Sequence, residues 1–126
     1  MTDIVDKTVL LNFIQIDLME NRNIFDRLIN MFKIDLTSEL RAVESAIAMK
    51  DSNLVTQIVH KLKPSIISFG AVVLMASLTK IEEQCLALKY DSLEDLVKKA
   101  IDIAEKTIFE ITAIAIDFFA KGAQVA

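Results

Sequence analysis

The segment HKLKPSIISFGA, His60–Ala71, holds the only histidine and the only proline of the chain, four residues apart. An unperturbed imidazole changes charge near neutral pH and can act as proton carrier, nucleophile or metal ligand, so what His60 does depends on what can join it. A metal site needs further imidazoles, thiolates or several converging carboxylates. The chain has one cysteine, Cys85, and no carboxylate falls on the histidine's side of its own helix. A Ser-His-Asp or Cys-His hydrolase needs a nucleophile and an orienting acid in a pocket, which an exposed helix face does not offer. No Gly-rich phosphate loop is present, so kinase activity in this chain alone is not expected. An isolated, solvent-facing imidazole can still accept a group from a partner that brings the remaining machinery, which is a carrier's task.

Helical phase places His60 toward water. At about 100° per residue, Leu54, Val55, Ile58, Leu62, Ile66 and Phe69 gather around the pole opposite it, and this is the face expected to pack inward. Its own side carries Asn53, Thr56, Gln57, Lys63, Pro64 and Ile67. Pro64 lacks the N–H that would bond the carbonyl of His60, and its ring crowds that carbonyl. Lys63, just before it, is biased away from helical angles. A bend or loosened turn is expected, which either abolishes docking of a partner, leaving an inert chain, or tilts His60 outward; the second is the reading preferred.

The elements that must hold this helix follow from composition and period. Hydrophobic residues make up 53% of 126 residues while glycines number two and prolines one, which leaves few turns and favours long helices in a single domain, residues 1–126. A short helix spans about Lys7–Met19. A second runs from the polar cluster Glu20–Asn23 to about Met49, with Phe25, Ile29, Phe32, Leu36, Leu40, Val43 and Ile47 on one stripe. Lys50–Asn53 opens a third through its Asp, Ser and Asn, and Gly70 closes it. A fourth covers about Val72–Lys89. Ser92, with Asp95 three residues on, starts a last helix that ends near Ala120, leaving Lys121–Ala126 as a frayed tail. Short connections between long amphipathic helices predict an all-α, up-and-down antiparallel four-helix bundle with a short additional N-terminal helix.

Net charge −4 and a pI near 4.9 argue against nucleic acid. The longest apolar run, Ala71–Ala76, is far too short to span a bilayer, and Asp3, Asp6 and Lys7 stand where a signal peptide would be apolar. A lone cysteine fits a reducing compartment, so a cytoplasmic protein is expected, with Cys85 as a small buried hydrophobe.

On these residues the chain resembles the histidine phosphotransfer domains of multistep phosphorelays. Their signature is a histidine followed by x-Leu-Lys-Gly-Ser, then a Gly-Ala pair six and seven residues after that glycine. His60, Leu62, Lys63, Ser65, Gly70 and Ala71 match in register. LINMF, Leu28–Phe32, and AIAMKDSN, Ala46–Asn53, look like the family's Leu-x-x-x-Phe helix and Ala-x-x-x-x-Asp turn. The resemblance implies that His60 takes a phosphoryl group from a phosphoaspartate on a response-regulator receiver domain and passes it to another receiver. Lys63 would give electrostatic support, and magnesium would sit on the receiver with no cofactor on this chain. A hybrid sensor histidine kinase is a further implied partner, and one exposed histidine per bundle implies a monomer. The initiating methionine and the full set of helices favour a freestanding protein over a domain of a larger one.

Pro64 departs from the pattern, since the family has glycine there; the expectation is an apolar seat for the receiver that changes partner choice more than chemistry. Gln57, Pro64, Ile67 and Gly70 beside the histidine, with Ile24, Met31 and Ile34 on the flank of the second helix, form the expected docking surface. The competing reading is an adaptor that binds receiver or kinase domains without being phosphorylated. A third is a bundle that holds a small apolar ligand, prompted by Thr107–Ala120, apolar nearly all round and expected to be a buried last helix, with a dimer interface or a contact with another domain as the runner-up.

Overall fold

The structure, a computed structural model, describes residues 3–125, with side chains through residue 122. No strand occurs among these residues, and the helices are α1 (Lys7–Asn12), α2 (Arg22–Ala48), α3 (Ser52–Ser68), α4 (Val72–Leu86) and α5 (Leu93–Val125). Going round the bundle, α2 packs on α3, α3 on α4, α4 on α5, and α5 closes back on α2. Neighbours are antiparallel: the ring of Phe25, at the start of α2, lies 5.8 Å from that of Phe119 near the end of α5, and the Ser52 hydroxyl opening α3 donates to the carbonyl of Cys85 at the end of α4 over 2.9 Å. The expected four-helix bundle with a short leading helix is the architecture found. No helix among the described residues is long and apolar enough to cross a membrane.

The starts follow the capping residues. Asp6, Asn21 and Asp51 each accept the backbone N–H three residues on, from Val9, Ile24 and Leu54, which satisfies one of the orphan donors of each first turn. Three interhelical turns close alike. After α3, Gly70 donates to Ile67 and Ala71 to Ile66; after α2, Lys50 donates to Ile47 and Asp51 to Ala46; after α4, Leu88 donates to Cys85 and Lys89 to Gln84. Each is a Schellman closure whose penultimate donor sits in the left-handed region. Only Gly70 (φ +71°) does so without a Cβ; Lys50 (φ 55°) and Leu88 (φ 58°) carry side chains there.

The core follows the expected stripes, except that Ile29, Ile47 and Leu54 are only half-buried at its edge. Phe25, Phe32, Leu36, Leu40 and Val43 of α2 and Val55, Ile58, Leu62, Ile66 and Phe69 at α3 are buried, with Ala46 and Val59 added. Phe69 is a hub: its ring stacks on Phe32 at 4.7 Å and meets Phe13 and Phe25 edge-on. Cys85 is fully buried, as expected of a small hydrophobe.

Four expectations need correction. The leading helix does not run to Met19 as one α-helix; it widens into a π-helical turn over Phe13–Asp17, and Met19 and Glu20 follow at positive φ. Ser92 precedes α5, but its hydroxyl donates to Gln84 of α4 instead of capping. Helix α5 continues beyond Ala120, through Val125, over the tail expected to fray, of which Ala126 lies outside the described residues. Nor is this helix wholly buried, since Phe109 and Ile116 are exposed. It packs mainly on α2 and α4, with α1 touching it near its end, and these neighbours do not cover its whole circumference.

Candidate functional site

Helix α3 runs unbroken through Pro64. The bond from residue 64 to the His60 carbonyl is absent by covalent structure, yet the apolar anchors on either side, Leu62 and Ile66, are buried and hold the turn in place. Around that turn the helix presents three strips. Lys61 and Ser65 face α2, where the Lys61 ammonium lies 2.9 Å from the Glu39 carboxylate; that hydrogen bond first, and Glu39's charge second, hold Lys61 above the ordinary lysine value. Gln57 and Pro64 form an exposed outer ridge. His60, half-buried Lys63 and exposed Ile67 share the strip that faces α4.

His60 is 62% exposed, and its Nε2 lies 3.6 Å from Glu82 Oε2 on α4. This is just beyond a hydrogen bond, and a small rotation of the exposed imidazole would close it. The carboxylate is only 14% exposed, and Oε2 is fully buried without a hydrogen-bond partner among the described residues, as is the Thr56 hydroxyl one turn before His60. A carboxylate placed there favours a proton on the nitrogen that faces it and leaves the lone pair of the other free. The imidazole thus has a carboxylate close to one ring nitrogen while most of its side chain remains in solvent. No group of three or more His, Cys, Asp or Glu side chains converges among the described residues.

The expected docking residues divide. Met31 lines a cleft of about 200 Å³ with Pro64 and Ser65, so the flank of α2 does reach the proline. Ile24 (41% exposed) lies on the same flank and Ile34 (59%) farther round toward solvent. Ile67, 62% exposed, lies on the other side of the ridge with His60. Gly70 is the correction. It is buried, its carbonyl accepts the Asp6 N–H at 2.8 Å, and a Cβ there would stand 2.7 Å from the Asp6 carbonyl oxygen. Its place is to close the helix under the N-terminal segment, not to meet a partner.

Compared with known proteins, the chain matches no family model, no curated protein and no solved structure.

Sequence reasoning missed Glu82 because it looked for acids on the histidine's own helix. The usable signal was the turn: His60 lies ten residues before Gly70 and Glu82 twelve after it, so two antiparallel helices folded at that glycine bring the two to one level.

Proposed function

We propose that this protein is a phosphorelay carrier in which His60 accepts a phosphoryl group from the phosphoaspartate of a receiver domain and passes it to another. The observation that carries the reading is a single exposed imidazole on a convex helix face, backed by a buried carboxylate and flanked by a lysine. The resemblance of the surrounding segment to histidine phosphotransfer domains supports it. In the reaction, the free lone pair of the imidazole attacks phosphorus and an N–P bond forms. The bond from phosphorus to the aspartyl oxygen breaks, its electron pair stays on that carboxylate, and the second ring nitrogen keeps its proton. Glu82, as acceptor for that N–H, would offset the positive charge gathering on the ring, while Lys63 lies near the path of the phosphoryl oxygens. Phosphoryl transfer depends on positioning and charge neutralisation, so a carrier can leave the magnesium site to its partner.

The partner surface on this reading straddles the α3 ridge, with Met31, Pro64 and Gln57 on one side of the histidine and Ile67 on the other. The test is transfer from a phosphorylated receiver domain, scored as acid-labile, base-stable label on this chain. Label on the wild type and none on His60→Gln is expected. Receiver binding without label on any wild-type sample would overturn the carrier reading in favour of an adaptor.

A further inference from the structure

On the side of the bundle away from α3, helices α2 and α5 enclose an open groove of about 590 Å³. Its floor is apolar, with Leu36 and Leu40 from α2 and Ile101, Ala104 and Ile108 from α5. At its edge Phe109 is 76% exposed, and Ile116, two turns on along the same face, is 57% exposed. An aromatic ring left this far in water beside an apolar trough marks a surface that is normally covered. The rim carries two cations and two anions, Lys33, Arg41, Glu44 and Glu105, and none of them enters an ion pair within the chain among the described residues.

The order of these groups says what covers it. Because α2 and α5 are antiparallel, one end of the groove holds Lys33 with Phe109, and the other holds Arg41 and Glu44 with Ile101 and Glu105. A two-fold axis through the middle of the groove exchanges the ends. It brings Lys33 of one copy against Glu44 of the other, and sets each Phe109 over the small Ala104 beside Ile101, next to Arg41, where ring and guanidinium attract. Cation meets anion and knob meets hole twice over, as an isologous interface requires. An acidic or a basic ligand would leave half of this rim facing like charge.

We infer that the α2/α5 groove is a dimerisation face whose occupant is a second copy of this chain. The inference departs from the expectation of a monomer and does not rest on the phosphorelay reading, because α5 is diagonal to α3 and both His60 strips stay outward in the pair.

The test is sedimentation equilibrium of the full chain over a range of protein and salt concentrations. A mass twice the chain's 14.1 kDa is expected, weakening as salt rises. Phe109→Asp should loosen the pair at least about tenfold, as loss of a central aromatic anchor does. Lys33→Glu should loosen it too, and Lys33→Glu combined with Glu44→Lys should restore it. Phe109 and Lys33 are exposed, so circular dichroism should be unchanged in each variant. A mass of one chain at the highest concentration reached would overturn the inference, as would a dimer indifferent to Phe109→Asp. So would a monomer that carries a small molecule in native mass spectrometry, which would make the groove a ligand site.

Discussion

The His60 imidazole and the Glu82 carboxylate meet across two helices, 3.6 Å apart, with one carboxylate oxygen sealed from solvent and left without a hydrogen-bond partner. A buried acceptor in that state destabilises the fold, and here it stands beside the one group with a chemical task on the proposed reading. Glu82→Ala should therefore move two measurements in opposite directions. Transfer to His60 should slow by about tenfold to a hundredfold, the worth of a hydrogen bond to a charged group, while the melting temperature holds or rises. Glu82→Gln keeps an acceptor without the charge and should fall between. Unchanged transfer in Glu82→Ala would show that the carboxylate does not support the ring.

Substitution at Gly70 tests the turn that reverses the chain under the histidine helix. Gly70→Ala places a Cβ 2.7 Å from the Asp6 carbonyl oxygen at a φ of +71°, which combines backbone strain with a steric clash. A loss of about 2–4 kcal/mol is expected, read as a melting temperature lower by roughly 10 °C. A variant that melts with the wild type would mean the N-terminal segment is not seated there.

Leu88 gives the opposite sign. Its φ is 58° and its side chain is 71% exposed, so the left-handed strain is not repaid by burial. Leu88→Gly should stabilise the protein by about 0.5–1 kcal/mol in chemical denaturation. A decrease would mean that the side chain anchors the α4–α5 turn.

Cys85 should be silent in the native state. Burial first, and the negative charge of Glu82 second, push its thiol above the ordinary value, and only the thiolate reacts with alkylating agents or aromatic disulfides. Labelling at mildly alkaline pH should need unfolding, and the folded chain should label at a small fraction of the denatured rate. The sign of the linked stability follows. The unfolded thiol loses its proton first as pH rises, so stability is intact below the ordinary thiol pKa and declines from there toward the raised native one. Cys85→Ser should remove that alkaline dependence.

How much of this was legible in the sequence depends on whether the cause was local. The stripe from Phe25 to Val43 and the phase of His60 rest on the period of one helix, and both appear as read. The caps at Asp51 and the closure at Gly70 are likewise local. Glu82 was not legible from its own helix, because its partnership depends on how α3 and α4 lie side by side. Lys50 and Leu88 were missed as turn-closing residues because neither type favours the left-handed region, and tertiary packing overrides that preference. The burial of α5 was overread, since an apolar composition says how much surface a helix could hide and not how many neighbours it has. Phe109 and Ile116 are the residue of that difference.

Helix α5 has 33 residues and α3 only 17, so at 1.5 Å per residue it outreaches its diagonal partner by about 24 Å. The first helix and its π-helical turn occupy the place left vacant: Lys7 and Leu11 of α1 lie beside Ile114 and Phe118 of α5, and Phe13 leans on Phe69. The leading segment is therefore a stopper in the open end of a barrel. A shortened chain that begins at Arg22 would keep His60, Glu82 and their geometry, but it would uncork the aromatic cluster, and its first failing would be insolubility, well before any loss of chemistry.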